Sequence, residues 1–119
     1  MIAYSNRKKP ILAVKLRNEI LKQISGDNIS VSLRNISING NKKGCSGFIT
    51  NSENGTCVWL STDNEYCRQP IVYRYAKNIS DYHGGINRWC DTAFDLAYAI
   101  KKMLTEPDIE WQNHFATTA

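Results

Sequence analysis

Four strand-like segments lie between two helical stripes, and this order decides the fold class. The segments are Ile29–Ile38, Cys45–Asn51, Thr56–Thr62 and Pro70–Ala76. They contain many β-branched and aromatic residues, and Asn-Gly pairs lie between the first three of them. Strands that follow one another through short turns usually pair antiparallel. We therefore predict an antiparallel sheet of about four strands in a meander.

An N-terminal helix is predicted from Pro10 to about Ser25. Proline suits a first helical position, because its missing N–H would be unpaired there anyway. Gly26 supplies a stop at the other end. The apolar residues recur every four positions at Leu12, Leu16, Ile20 and Ile24. This spacing is typical of a helix that buries one face.

A C-terminal helix is predicted over residues 93–104, where Thr92 and Asp95 have the spacing of a capping box. Its predicted inner stripe comprises Phe94, Ala97, Ile100 and Leu104, and Leu96 and Met103 add to it. Pro107 ends this helix, and a short tail helix is predicted over Asp108–Phe115. With both main helices on one face of the sheet, the predicted fold is an α+β sandwich in the order α-β-β-β-β-α.

Two local features are predicted around the first strand. The apolar phase changes by one residue within Ile29–Ile38, which indicates a bulge near Arg34-Asn35 or a break into two short strands. The turn residues of segment 39–44 predict a loop that lifts Lys42 and Lys43 to its tip.

The hairpin over residues 45–62 allows two registers. If residues 53–55 form its loop, Phe48 lies opposite Leu60. A two-residue Asn54-Gly55 loop would change these partners. In either register both faces of the hairpin carry large apolar side chains, so helices are expected on one face. Whether the other face is covered or forms a contact surface stays open.

The chain of 119 residues is predicted to form a single domain. Residues 1–9 are expected to form a loose basic arm, 10–106 the core, and 107–119 a short tail helix with a fraying end. No apolar run approaches the roughly 20 residues needed to cross a bilayer. The basic N-terminus leads into a segment that Lys15 interrupts, unlike the apolar core of a secretory signal. We therefore expect a cytoplasmic protein without membrane contact.

The cysteines argue against a metal site. Cys45, Cys57, Cys67 and Cys90 lie 12, 10 and 23 positions apart, whereas structural zinc sites usually pair ligands about two to four residues apart. In a reducing compartment such residues are most often small core side chains. We therefore predict no metal and no cofactor.

No catalytic set can be assembled from the sequence. Nucleophilic catalysis needs a nucleophile, a base and an orienting group, and the nearest candidate is Cys90 with His83. Asp81 and Asp91 could form a carboxylate pair, but a turn hydrogen bond and the opening of a helix are their more usual roles. A non-enzymatic protein is the primary prediction, and a small Cys/His hydrolase is the third hypothesis.

Charge is distributed unevenly along the chain. Residues 1–50 carry nine Lys or Arg against two acids, a net charge of +7, and residues 51–119 carry −3. Such asymmetry suggests an anionic partner, so nucleic-acid binding is the second hypothesis. Bases would stack on Trp59, Tyr73 or Tyr75, which occupy strand positions. The candidate phosphate-binding residues are Arg7, Lys8, Lys9, Lys15, Lys22, Lys42 and Lys43.

The connection Asn78–Asp91 holds the residues most typical of a protein contact. Ordered connections of this length often carry function, and Gly84-Gly85 lets flanking residues project. Tyr, Trp and Arg are the residue types enriched at interface hot spots. The candidate partner-binding residues are Tyr82, His83, Arg88 and Trp89. The alternative is that Trp89 and Ile86 fill the core beneath the connection.

The segments Gly44-Cys-Ser-Gly-Phe-Ile-Thr50 and Tyr82-His-Gly-Gly-Ile-Asn-Arg-Trp89, followed by the helix to Leu104, give the chain a layout that resembles small phage- or plasmid-encoded accessory proteins. That group includes inhibitors of bacterial defence systems, such as anti-CRISPR proteins. The resemblance implies a stoichiometric inhibitor that occupies a surface on a host protein or ribonucleoprotein. Many anti-CRISPR proteins mimic nucleic acid with acidic surfaces, and the net charge of +4 departs from that version.

Overall fold

The computed structural model describes residues 10–24, 26–63 and 69–116. In this part of the chain, five strands form one antiparallel sheet in the order β1-β2-β3-β4-β5. The elements are α1 Ala13–Gln23, β1 Ile29–Ile38, β2 Asn41–Asn51, β3 Thr56–Ser61, β4 Ile71–Tyr75, β5 Arg88–Cys90, α2 Ala93–Thr105 and α3 Ile109–His114. The predicted α+β class is confirmed. The observed sheet has one strand more than the predicted four, because β5 lies inside the predicted Asn78–Asp91 connection.

The main hydrophobic core lies between the helices and one face of the sheet, which we call the inner face. It includes Leu16, Ile20, Ile49, Val58, Leu60, Ile71, Tyr75, Leu96, Ile100, Leu104 and Trp111. Full burial of side chains of this size contributes roughly 1.5–3 kcal/mol each. Since Trp111 belongs to this core, the tail helix α3 packs as part of the fold. We call the opposite side of the sheet the helix-free face.

Helix α1 begins at Ala13, three residues after the predicted start. Its N-cap residue Leu12 offers no side-chain acceptor. Instead, the N–H of Ala13 donates to Oδ1 of Asn35 on β1 over 2.8 Å, which satisfies one of the unpaired donors of the first turn. The start of the helix is therefore set by a contact with the sheet, which Pro10 does not reveal.

Helix α2 is capped as predicted, since Oγ1 of Thr92 accepts the N–H of Asp95 over 3.0 Å. The predicted inner stripe is wrong at Phe94, which is 60% exposed, and is confirmed at Leu96, which is fully buried. At 3.6 residues per turn, Phe94 lies about 120° around the helix from the centre of the buried stripe. It therefore points away from the sheet.

Strands β1 and β2 form a long hairpin that turns at Asn39-Gly40, where both residues have positive φ. Strand β2 already begins at Asn41, so the prediction that Lys42 and Lys43 lie at a loop tip is wrong: Lys42 pairs with Ser37, and Lys43 follows it in β2 without a partner. Strand β1 is continuous, and the register shifts between Ile36 and Ser37. The residue without a partner at this shift is Lys43, so the extra residue lies in β2 and the predicted bulge near Arg34-Asn35 of β1 is wrong.

Both predicted registers of the β2–β3 hairpin are wrong, since Phe48 lies opposite Trp59. The loop contains the four residues 52–55, closed by a hydrogen bond from the N–H of Gly55 to the carbonyl of Asn51 over 2.8 Å. The side-chain amide of Asn51 also donates to the carbonyl of Leu104 over 3.0 Å. The register is therefore stabilised by the end of α2, which lies far away in sequence.

Candidate interaction surface

The loop formed by residues 77–87 lies on the helix-free face, against a second and smaller hydrophobic cluster. This cluster contains Phe48, Cys57 and Ala76, with Trp59 at its margin. Tyr82 meets the ring of Phe48 edge-on, with centroids 5.4 Å apart and planes at 73°, which is a favoured geometry for aromatic pairs. The chain therefore covers part of the face that its helices leave open.

Asp81 organises the backbone of the 77–87 loop. Its carboxylate accepts the N–H groups of Lys77 over 2.8 Å, His83 over 3.0 Å and Gly84 over 2.8 Å. The bond from Lys77 contributes most to holding the pKa of Asp81 below its usual value. The turn hydrogen bond expected of Asp81 is confirmed.

Arg74 joins this loop to the sheet. The residue is only 3% exposed, and its Nη2 donates to the carbonyl oxygen of Asp81 over 3.1 Å. Its guanidinium lies 4.6 Å from the ring centroid of Trp59, its cross-strand neighbour, which is a cation–π contact. Burial lowers the pKa of Arg74, against the opposing charge of Asp81. An arginine in an apolar strand is itself a signal, because a buried charge needs partners, and the sequence-based predictions missed it.

Gly85 closes the loop against β4. Its φ of +79° lies in the left-handed region that residues with a Cβ rarely adopt, and a Cβ here would collide with the carbonyl oxygen of Tyr75. The N–H of Ile86 then donates to Oε2 of Glu110 over 2.8 Å. The C-terminal end of the loop is thereby held between β4 and α3.

Arg88 binds the chain's own carboxylates. Its Nη2 lies 2.8 Å from both Oδ2 of Asp108 and Oε1 of Glu110, and its guanidinium lies 5.1 Å from the ring centroid of Tyr75. Burial lowers the pKa of Arg88, but the two carboxylates outweigh it and raise this pKa overall. Because these contacts hold Arg88, the prediction that it is presented outward is wrong. Its partners lie about twenty residues away in the sequence, and no local pattern reveals them.

Several apolar side chains of this region remain exposed around the fixed backbone. We call them the docking patch: Ile79, Tyr82, Ile86 and Trp89, which are 62%, 53%, 68% and 39% exposed. Trp89 lies opposite Val72 on β4, which places it on the helix-free face. Tyr82 lies on the same face. The alternative in which Trp89 and Ile86 fill the core is therefore wrong. His83 is also exposed.

The thiol of this segment, that of Cys90, is buried. Burial, reinforced by the charges of Asp95 and Asp91, raises the pKa of Cys90 to about 12, so its thiol is protonated at neutral pH. Its Sγ lies 3.8 Å from the carbonyl oxygen of Thr92. Among the described residues, no group of three or more His, Cys, Asp and Glu is placed to hold a metal ion.

The predicted phosphate-binding residues occupy separate elements. Lys15 and Lys22 are exposed on α1 in the helix layer, whereas Lys42 and Lys43 lie on β2. Residues 7–9 lie outside the described part of the chain. In that described part, no helix is long and apolar enough to cross a membrane.

Comparisons of this chain with protein-family models, with curated proteins and with solved structures found no match.

Proposed function

We propose that this chain is a non-enzymatic protein-binding domain that docks through Ile79, Tyr82, Ile86 and Trp89. The observation that carries the proposal is that four aromatic and aliphatic side chains are exposed on one segment whose backbone is fixed at both ends. Scattered single apolar residues are normal on protein surfaces, but grouped ones usually mark contact sites. Here, four of them lie within eleven consecutive residues.

The fixed backbone supports this role energetically. A loop that orders on binding spends part of the interaction energy on lost conformational freedom. Here Asp81 holds the first half of the loop, and Gly85 and Arg88 hold its second half. The side chains of Tyr82 and Trp89 are large and have few rotatable bonds, so they offer contact area at low entropic cost.

The resemblance to small phage- and plasmid-encoded accessory proteins suggests how such a domain would act. In this proposal it occupies a surface of a host protein or ribonucleoprotein in the cytoplasm and inhibits it stoichiometrically. The raised pKa of Cys90 supports a contact role over a thiolate mechanism.

Site-specific photo-crosslinking would test the docking patch. A benzophenone amino acid is placed at position 82, and at position 98 as a control, because Tyr82 and Tyr98 are equally exposed at 53% and Tyr98 lies in the helix layer. In nuclease-treated host lysate, a discrete protein should crosslink from position 82 and not from position 98. Identical products from both positions, or none from position 82, would overturn the proposal.

A further inference from the structure

Strand β1 forms an open edge of the sheet. In the described part of the chain it pairs only with β2, because it is the first strand in the sheet order. Strand β1 is ten residues long, contains no proline and carries Arg34 as its only charged residue. Natural proteins usually protect a sheet edge with short strands, prolines or several charges, because its unpaired N–H and C=O groups can bind another strand. The edge of β1 has little of this protection.

The hydrogen-bond ladder shows which backbone groups of β1 point away from β2. The N–H of Ser52 donates to the carbonyl oxygen of Asn28, so these two residues form a hydrogen-bonded pair. Hydrogen-bonded and non-hydrogen-bonded pairs alternate along an antiparallel ladder. The N–H and C=O groups of Val31, Leu33 and Asn35 therefore point outward, and no hydrogen bond joins them to a described residue. These alternate positions are free to bond an added strand.

Helix α1 forms a wall above this edge. It packs over β1 and β2, and one of its flanks contacts α2, where Nε2 of Gln23 donates to the carbonyl oxygen of Phe94 over 3.4 Å. At about 100° per residue, Val14, Arg17 and Leu21 lie on the other flank, toward the open side of β1. All three are exposed. A strand added to β1 would pack its inward side chains against this flank.

The charge beside the open edge is positive. Arg17 lies on α1 above the edge, and Arg34 lies on the helix-free face, one position after the inward-facing Leu33. Neither arginine forms an ion pair with a described residue. A second copy of the chain paired through β1 would bring the same cations of both copies to one interface, and such like-charge contacts are unfavourable. A strand that carries carboxylates matches this edge better.

We infer that β1 binds an extended segment of another protein in which apolar side chains alternate with Asp or Glu. Strand addition of this kind takes its affinity from main-chain hydrogen bonds and its specificity from alternate side chains. The apolar side chains of the segment lie on the inner face, beside Val31 and Leu33, which are half-buried at the margin of the main core. Its carboxylates lie on the helix-free face beside Arg34, and Arg17 adds positive potential above the same strand.

This surface is separate from the docking patch, because β1 and β5 are the two opposite edges of the sheet. The test uses only the purified chain and a synthetic peptide. Its failure would therefore leave the proposed protein contact standing.

Fluorescence anisotropy with a labelled peptide of about nine alternating valine and glutamate residues tests the charge preference. Wild type should bind this peptide more tightly than a valine–lysine peptide of the same length. The variant Arg17→Glu/Arg34→Glu should weaken binding of the valine–glutamate peptide by roughly 5- to 30-fold and reverse the preference. The matched control Lys15→Glu/Lys22→Glu makes the same change of charge on the opposite, exposed side of α1. This control should keep the wild-type preference.

Amide hydrogen exchange of the isotope-labelled wild-type chain, followed by NMR, locates the bound peptide. The amides of Val31, Leu33 and Asn35 should exchange rapidly in the free chain and at least about tenfold more slowly with the peptide in excess. The amides of Ser30 and Ser32, which bond to β2, should be protected in both states. This measurement needs no variant, so it decides even if Arg17→Glu/Arg34→Glu fails to fold.

Four results would overturn the inference. The first two are absent binding of the valine–glutamate peptide at low salt, and equal effects of the edge and control variants. The third is protection of the outward amides in the free chain, because the edge would then already be covered. The fourth is a dimer of the chain alone in sedimentation that Arg17→Glu/Arg34→Glu alters, which would assign the edge to a second copy.

Discussion

Arg74 donates a hydrogen bond from Nη2 to the carbonyl oxygen of Asp81 over 3.1 Å, and the same guanidinium lies 4.6 Å from the ring centroid of Trp59. Arg74, one residue of β4, thus contacts both the 77–87 loop and the indole of Trp59. The position of Tyr82, one residue after Asp81, depends on this contact. The position of the docking patch therefore depends on the sheet as well as on the 77–87 loop.

Acid should destabilise the fold through Asp81 and Asp108. Hydrogen bonds hold the pKa of Asp81 below its usual value, with the N–H of Lys77 as the main cause. Burial raises the pKa of Asp108, but the bond and charge of Arg88 outweigh it and lower this pKa overall. A carboxyl whose pKa is lower in the folded state stabilises the fold above the unfolded pKa, and this stabilisation is lost as pH falls through the folded pKa.

The free energy of unfolding in urea should therefore fall as the pH drops below about 4. Asp81→Asn should reduce that dependence, while Asp91→Asn, an exposed neighbour at the other end of the segment, should retain it. An identical pH profile for wild type and Asp81→Asn would show that the hydrogen bonds of Asp81 are not formed in solution.

Removing Arg88 should destabilise the domain. Arg88→Leu leaves the carboxylates of Asp108 and Glu110 without their partner, and the expected loss is about 2 kcal/mol because the site is only partly buried. Arg34→Leu, which removes an exposed arginine that has no ion pair among the described residues, should change stability by less than about 0.5 kcal/mol. Urea unfolding of both variants checks this, and a double-mutant cycle with Asp108→Ala should show coupling of about 1 kcal/mol. Additive effects would contradict the ion pair.

Two glycines offer a matched test of the loop closure. Gly55 and Gly85 share a φ of +79°, but a Cβ at Gly55 meets nothing within 4 Å, whereas at Gly85 it collides with the carbonyl oxygen of Tyr75. Gly55→Ala should cost only the conformational penalty of about 1 kcal/mol. Gly85→Ala should cost at least about 1 kcal/mol more, measured by urea unfolding. Equal costs would mean that the loop is not held against β4.

The described cysteines should be inert in the native protein. Burial raises the pKa of Cys57 to about 11 and of Cys90 to about 12, and it also raises the pKa of Cys45. Only the thiolate reacts readily with disulfide reagents. With Cys67→Ser to remove the remaining thiol, Ellman's reagent at pH 8 should label the folded protein slowly and the unfolded protein at once. Rapid labelling of Cys90 in the folded protein would support a thiolate mechanism.

The class of fold was predictable because helix stripes and strand patterns are local. The N-cap at Thr92 is a local signal of this kind, and the bond that it accepts from the N–H of Asp95 is confirmed. The β2–β3 register was not predictable, since Asn51 is held by the carbonyl of Leu104, more than fifty residues away. The residue types of the turn alone do not distinguish a two- or three-residue loop from the observed four-residue loop.

The candidate site was predictable only in part, for the same reason. Tyr82 and Trp89 could be named from residue type and from the long connection around them. The roles of Arg74 and Arg88 depend on which partners the fold brings near, and strand β5 is only three residues long. The residues that hold the patch in place are thus harder to find in a sequence than the residues that form it.

The affinity of the docking patch for the partner captured from position 82 tests the central claim most directly. Isothermal calorimetry would compare Tyr82→Ser and Trp89→Ser with Tyr98→Ser, an equally exposed tyrosine on α2. Each patch variant should weaken binding by about 30-fold or more, as expected at an interface hot spot, while Tyr98→Ser stays within about twofold of wild type. Folded patch variants that bind as tightly as wild type would contradict the claim.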